Sequence, residues 1–392
     1  MKRTLIGAAI AVSALLTSTQ VDAALARPPV VQRDTNGRGV IDVSGDGRFA
    51  LTGDPTMGAA DRRVNLSTNA RMALSFQALN AQILDDGSAM VFVSFQKLIP
   101  SDTNGGWDIY RYTFATKKFV RIVLSAKPAN WEFALADVSG NGNVLGLSGS
   151  NTASGLSSVW LYDIAGKKWR RPDSLFPASP NPHQSQDVRL SSNGRVAAWV
   201  TYNGFGCTKC SQVWAYNWTT NSKKVVSVRS TGLALNDGNA VMPSISPDGT
   251  VVSFVSNASH IVAGYNTVKQ RVYVRNLVTK ATKMMSEKVS AIASSPPQLG
   301  GGGKVLVLLE DRPTKVGSST QKLPQPVVYY VATKANVMLD QPAGAALPNG
   351  YTRTVMVSSI AKKAVFTTTT KNFTTVVSPS VVTDRMFASS LA

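Results

Sequence analysis

Two cysteines, two histidines and a small set of carboxylates are the residues with most chemistry to offer in this 392-residue chain. Cys207-Thr-Lys-Cys210 is its one cysteine pair. The pair lies between β-patterned segments with Gly204 and Gly206 just before it, and reads as a local disulfide pinning a loop. A redox dithiol needs a helix N-terminus to depress the thiol pKa. A zinc site needs two more ligands, and only His183 and His260 could supply nitrogen. Asp102-Thr-Asn-Gly-Gly-Trp-Asp108 places oxygen ligands on Asp102, Asn104 and Asp108 around a glycine turn, like part of a calcium loop. Asp34 to Asp42 is a looser copy. Neither has the closing bidentate glutamate, and a polar Asx turn accounts for both. Calcium is the one cofactor these residues leave open. No Gly-x-Ser-x-Gly elbow occurs, so His183 and His260 are the ordinary general-base candidates.

Those residues need a scaffold, and the composition supplies one. Apolar residues make up 43% and charged residues 16%, which excludes a disordered polyelectrolyte. Lys plus Arg number 41 against 22 Asp plus Glu, a net charge of +19 that points to an anionic partner. The N-terminus has a basic start (Lys2, Arg3), an apolar run from Leu5 to Leu16, and small residues at Val21-Asp-Ala23. That is the three-part pattern of a signal peptide over 1–23, too short for a membrane span. The expected location of 24–392 is the periplasm or exterior of a bacterium, where nucleic acid is a poor candidate partner. A monomer with no transmembrane segment after cleavage is expected.

A short motif recurs along the exported part. It reads Val43-Ser-Gly-Asp-Gly-Arg-Phe-Ala-Leu, Leu84-Asp-Asp-Gly-Ser-Ala-Met-Val-Phe, Val138-Ser-Gly-Asn-Gly-Asn-Val-Leu-Gly, Leu190-Ser-Ser-Asn-Gly-Arg-Val-Ala-Ala-Trp and Ile245-Ser-Pro-Asp-Gly-Thr-Val-Val-Ser-Phe. Weaker copies begin at Leu299 and Val357. The turn anchors are Gly47, Gly87, Gly142, Gly194, Gly249, Gly303 and Lys362. Asp-Gly and Asn-Gly between apolar runs signal hairpins with left-handed turn residues. A second motif alternates aromatic and β-branched residues, as in Asp108-Ile-Tyr-Arg-Tyr, Val159-Trp-Leu-Tyr-Asp, Val213-Trp-Ala-Tyr-Asn and Val272-Tyr-Val-Arg-Asn. Period-two alternation is the strand signature. Four short strands per repeat of this length predict an all-β chain forming a single β-propeller of four-stranded blades. Seven blades fit the anchors, with six or eight as the alternatives.

The two motifs together resemble the TolB-type, WD-like propeller repeat, best at Pro243–Phe254 and Val272–Ser286. The resemblance implies the fold, and a setting among envelope and secreted proteins that bind other proteins, with some enzymes; it does not imply one activity.

In such a blade the first and third turns share one face. The third turns are rich in lysine: Lys117 and Lys118, Lys167 and Lys168, Lys223 and Lys224, Lys280 with Lys283, and Lys334. Repetition would set them in a ring near the rim, either as a solubilising edge or as a cationic surface for an anionic partner. The opposite face should carry the longer loops, among them 95–107, 256–271 and 310–326, with Trp107, Trp131, His183, Tyr202, Phe205, His260 and Tyr265. Loops on a rigid scaffold are where binding sits, although each ring could equally pack under its own loop. The sequence therefore predicts a non-enzymatic binding or scaffold propeller for a protein or an anionic envelope polymer. A hydrolase or lyase acting on a saccharide or peptide is the alternative, and its catalytic residues are not legible in the sequence.

Overall fold

A computed structural model describes residues 30–34, 39–54, 58–175, 184–202, 210–290, 296–342, 346–370 and 385–391. The expected signal segment, His183, Phe205 and Cys207 lie outside them. Strands are arranged in antiparallel units of four, and the only helical element among the described residues is a single 3-10 turn, Pro172–Leu175.

Seven blades follow one another. Blade one is Gly39–Val43, Phe49–Asp54, Ala59–Asn65 and the first part of Arg71–Ile83; the second part of that 13-residue strand opens blade two. Blade two continues with Ala89–Ser94, Asp108–Thr113 and Lys118–Ile122. Blade three runs from Trp131–Val138 to Lys168–Arg170, blade four from Gln184–Leu190 to Ser222–Val225, and blade five from Ala240–Ile245 to Thr282–Ser286. Blade six runs from Gln298–Gly300 to Asn336–Met338. Blade seven has Thr352–Val357, Lys363–Thr368 and Arg385–Ser390, and its outermost strand is Val30–Asp34 from the N-terminal side. The chain thus closes its own ring. A closed ring completed by residues after Phe366 was expected, but not the part of Val30–Asp34, because five residues without a neighbouring turn give no repeat signal.

The core is distributed between blades. Each of seven apolar clusters spans one blade-to-blade contact. Val40, Val43, Ala50 and Val64 of blade one, for example, pack on Val365 and Ala388 of blade seven, the contact that completes the circle. Strands buried on both faces explain runs such as Ala89–Ser94 and Val251–Ser256, in which every residue is buried.

The recurrent motif is explained by its hairpin. Gly47 N–H donates to Ser44 O at 2.9 Å, and only the glycine of the turn is left-handed, with φ of 70°. The turn is therefore not one with two left-handed central residues. The serine hydroxyl holds it: Ser44 Oγ donates to Asp46 Oδ1 (2.7 Å) and accepts from Phe49 N–H (3.0 Å). Ser139 with Asn141, Ser191 with Asn193 and Ser246 with Asp248 repeat this arrangement. In the seventh copy the left-handed residue is Ala361, at φ of 55°, and not the expected anchor Lys362. Residues 310–326 also depart from expectation. Instead of a loop they extend two 12-residue strands, Val305–Val316 and Ser319–Tyr330, into a long hairpin.

Candidate functional site

The innermost strands line a central cavity of about 550 Å³. Five residues before each turn's left-handed residue, one side chain per blade faces this channel: Asp42, Gln82, Asp137, Arg189, Ser244, Gln298 and Met356. Five of them accept a backbone N–H from the next blade. Asp42 Oδ2 takes Ile83 N–H (2.8 Å), Gln82 Oε1 takes Val138 N–H (2.7 Å) and Asp137 Oδ2 takes Leu190 N–H (2.6 Å). Ser244 Oγ takes Leu299 N–H (3.2 Å) and Gln298 Oε1 takes Val357 N–H (3.4 Å). A guanidinium has no acceptor, so Arg189 breaks the series, as does the thioether of Met356. Burial pushes the Asp42 carboxyl up to about 7, against the pull of the Ile83 and Val43 amides, with Asp137 and Asp85 adding to the rise. Burial pushes Asp137 up to about 6, and the Arg189 charge and two amides hold it back. Asp85, which also lines the cavity, accepts from Ser359 Oγ at 2.7 Å and occupies space that Gly45 and Gly140 leave open.

This collar was missed in the sequence, although its signal is the constant spacing to the turn. Of the calcium-like stretches, Asp42 binds amides as described. Asp102 accepts from the Tyr110 hydroxyl, Asp108 pairs with Arg121 at 2.8 Å, and Asn104 Oδ1 accepts from Gly106 N–H at 3.2 Å. Among the described residues, no three His, Cys, Asp or Glu side chains group as a metal site.

The turn face carries charge in two concentric sets. In blades one to six the first residue of the third turn donates its N–H to the carbonyl of the residue after the first turn's left-handed position, and in blade seven Leu391, which follows the third strand, does the same. Examples are Phe114 to Ser88 (3.0 Å), Ile164 to Asn143 (3.0 Å), Val331 to Lys304 (2.8 Å) and Leu391 to Lys362 (3.0 Å). Both kinds of turn therefore sit on one face. The inner set is Arg48, Arg195, Lys304 and Lys362, all exposed. Arg48 is paired with Asp46 at 2.5 Å. The outer set is Lys117, Lys167, Lys280 and Lys334, exposed and left-handed at φ of 54°, 49°, 61° and 64°. Asn69 and Asn221 hold the same place in blades one and four. Lys118 and Lys168 open the adjoining outer strands. Lys223 and Lys224 lie within the outer strand of blade four instead of at its turn. Burial lowers the Lys223 pKa, and its ammonium stands 5.7 Å from the Trp214 ring.

Among the described residues, the loop face does not gather its aromatic side chains. Trp107 is 55% exposed and packs on Phe95. Trp131 is buried inside blade three, edge-on to Trp160 and beneath Arg171. Tyr202 accepts from Gln186 Nε2 at 3.0 Å. Tyr265 lies under Arg271, at 5.1 Å. His260 is exposed, with Nδ1 against Ser259 Oγ, and does not line the channel. Cys210 is buried at the start of the third strand of blade four.

No family model and no curated protein matches the sequence. Solved structures do. An oligogalacturonate lyase in complex with manganese is similar at a TM-score of 0.57 and 10% identity, over 94% of this chain and 95% of that one. The oligogalacturonate lyase of Vibrio parahaemolyticus gives 0.57 and 11% over 93% and 94%. The β-propeller domain of the Trilobed protease from Pyrococcus furiosus gives 0.54 and 10% over 90% and 96%. The likeness is one of fold. It agrees with the propeller that the TolB-type repeat implied, and no helix among the described residues is long and apolar enough to cross a membrane.

Proposed function

We propose that the chain is an exported binding propeller whose turn face holds an anionic partner, an acidic protein surface or a polyanionic envelope polymer. The observation that carries this is the outer lysine set. A left-handed residue other than glycine is strained by roughly 1–2 kcal/mol, and asparagine tolerates the geometry better. Four turns nevertheless place lysine there, where blades one and four use asparagine. Retaining charge against backbone preference, on a chain of net charge +19, is what a cationic contact surface requires. The test uses dextran sulfate as a soluble polyanion. Replacing Lys117, Lys167, Lys280 and Lys334 by Asn should weaken binding roughly tenfold or more at low salt. Four substitutions of lysines elsewhere should do less. Equal binding by both sets would overturn the reading.

One observation favours a second reading, an enzyme acting on a saccharide or peptide in the channel. Asp42 and Asp137 face the cavity with pKa values of about 7 and 6, the range of an acid–base pair. The oligogalacturonate lyases make an anionic saccharide the first substrate to try. Among the described residues no three His, Cys, Asp or Glu side chains group at these carboxylates, whose oxygens accept backbone amides. Turnover of oligogalacturonate that is lost in Asp42→Asn and Asp137→Asn would establish this reading over the first.

A further inference from the structure

The turn face is not uniform. Its first turns carry Asp46, Asp86, Asn141, Asn193, Asp248 and Gly302 at the position before the left-handed residue, and blade seven carries Ile360 there. Its third turns carry Ser67, Ala115, Ala165, Thr219 and Ala332 at the position after the first turn residue, and blade five carries Val278. Val278 is 72% exposed and Ile360 50%. Both tips are fixed. Asn276 Oδ1 accepts the amides of Val278 and Thr279 at 2.9 and 2.8 Å. Ile360 N–H donates to Gly45 O at 3.1 Å. Ser44, Ser139, Ser191 and Ser246 each donate to a side-chain oxygen two residues on, and blade seven, which has Ser358, carries Ile360 at that place instead. Cations of both sets stand in the same sector: Lys280 beside Val278, Lys304 and Lys334 in blade six, and Lys362 beside Ile360, all exposed. Lys283 reaches across from blade five to Val331 O and Ala332 O at 3.2 and 3.1 Å, which ties the blade-five and blade-six turns together.

Rigid, protruding apolar tips set among lysines on a broad face match an anionic lipid surface: headgroups meet the cations, and the tips enter the interface. A soluble polyanion has no use for the valine and isoleucine. We infer that the sector of blades five to seven docks on the surface of an anionic bilayer. This rests on the reading that the turn face meets an anionic partner, and makes that partner a lipid surface instead of a protein or polymer.

The experiment compares phosphatidylcholine vesicles, with and without phosphatidylglycerol, against dextran sulfate, using the chain from residue 24. Binding is expected only to the phosphatidylglycerol vesicles and to dextran sulfate. Val278→Ser with Ile360→Ser should lower vesicle affinity several-fold and leave dextran sulfate binding unchanged. Lys280→Asn with Lys334→Asn should lower both, by roughly fivefold per lysine on the vesicles. Binding to dextran sulfate without binding to vesicles overturns the lipid inference and leaves the anionic-partner reading standing. So does vesicle binding that ignores Val278 and Ile360. Binding to neither overturns both. Unchanged circular dichroism of each variant separates these outcomes from misfolding.

Discussion

The amide of Leu277 donates to the carbonyl of Thr250 at 2.7 Å, and this one bond places the turn bearing Lys280 beside the turn bearing Gly249. Its counterparts in the other six blades make the lysine pattern a property of a face, where the sequence shows only a repeat. The charge on that face is separable from the fold. The combined replacement of Lys117, Lys167, Lys280 and Lys334 by Asn should leave the thermal midpoint unchanged or raise it, since asparagine suits the left-handed turn and exposed charges contribute little to stability. A midpoint lowered by several degrees would show that these lysines are structural.

The channel collar makes an unusual prediction for an arginine. Gln82 and Gln298 each accept an amide of the next blade from the position that Arg189 occupies in blade four. Arg189→Gln can complete the missing link to Ile245 and should stabilise the protein by about 1 kcal/mol. Gln82→Leu leaves the Val138 amide unsatisfied and should destabilise it by roughly 1–3 kcal/mol. Denaturant titration measures both. A destabilised Arg189→Gln would mean that the charge opposite Asp137 outweighs the hydrogen bond.

Three carboxyls set the pH dependence. Asp42, Asp137 and Asp340 are raised to about 7, 6 and 7, each chiefly by burial. A carboxyl whose folded pKa lies above its unfolded value near 4 holds its proton longer in the native state. The native state then binds more protons than the unfolded chain, so stability falls as pH rises from about 4 to 7. Asp46, Asp86, Asp237, Asp248 and Glu287, whose values are lowered, act in the opposite sense below that window. The thermal midpoint should decline between about pH 5 and 7, and Asp42→Asn with Asp137→Asn should flatten the decline. A midpoint that rises through this range would contradict the assignment.

The seventh turn tests the role of its left-handed residue. Ala361→Gly should stabilise the protein by roughly 1 kcal/mol by relieving φ of 55°. Gly249→Ala should destabilise it by more, because a methyl group there meets Val196 Cγ2 at 2.7 Å on top of an unfavourable φ of 74°. Paired melting curves decide it.

The turn motif and the alternating aromatic strands were enough to read the propeller, since both express local chemistry: a serine, an acceptor and a glycine close one hairpin. Strand Val30–Asp34 was not legible, because its partner Arg385–Ser390 lies at the other end of the chain. The lysines of the third turns were legible as a repeat. Arg48, Arg195, Lys304 and Lys362 were not, because they alternate with Ser88, Asn143 and Thr250 at the same position. Trp131 read as a surface ring but packs inward, since it opens a strand, Trp131–Val138, instead of lying in a loop. Asp137 and Gln82 were missed, because an acceptor for another blade's amide looks like any polar residue in a strand, and only the constant spacing to the turn marks it.

Hydrogen–deuterium exchange of the exported chain with and without dextran sulfate tests the central claim most directly. The account predicts slowed exchange at the turns around Lys117, Lys167, Lys280 and Lys334 and at the neighbouring turns of Arg195, Lys304 and Lys362, with the loops around Trp107 and His260 unaffected. Protection confined to those loops or to the channel strands of Asp42 and Asp137, with the lysine turns unchanged, would contradict it.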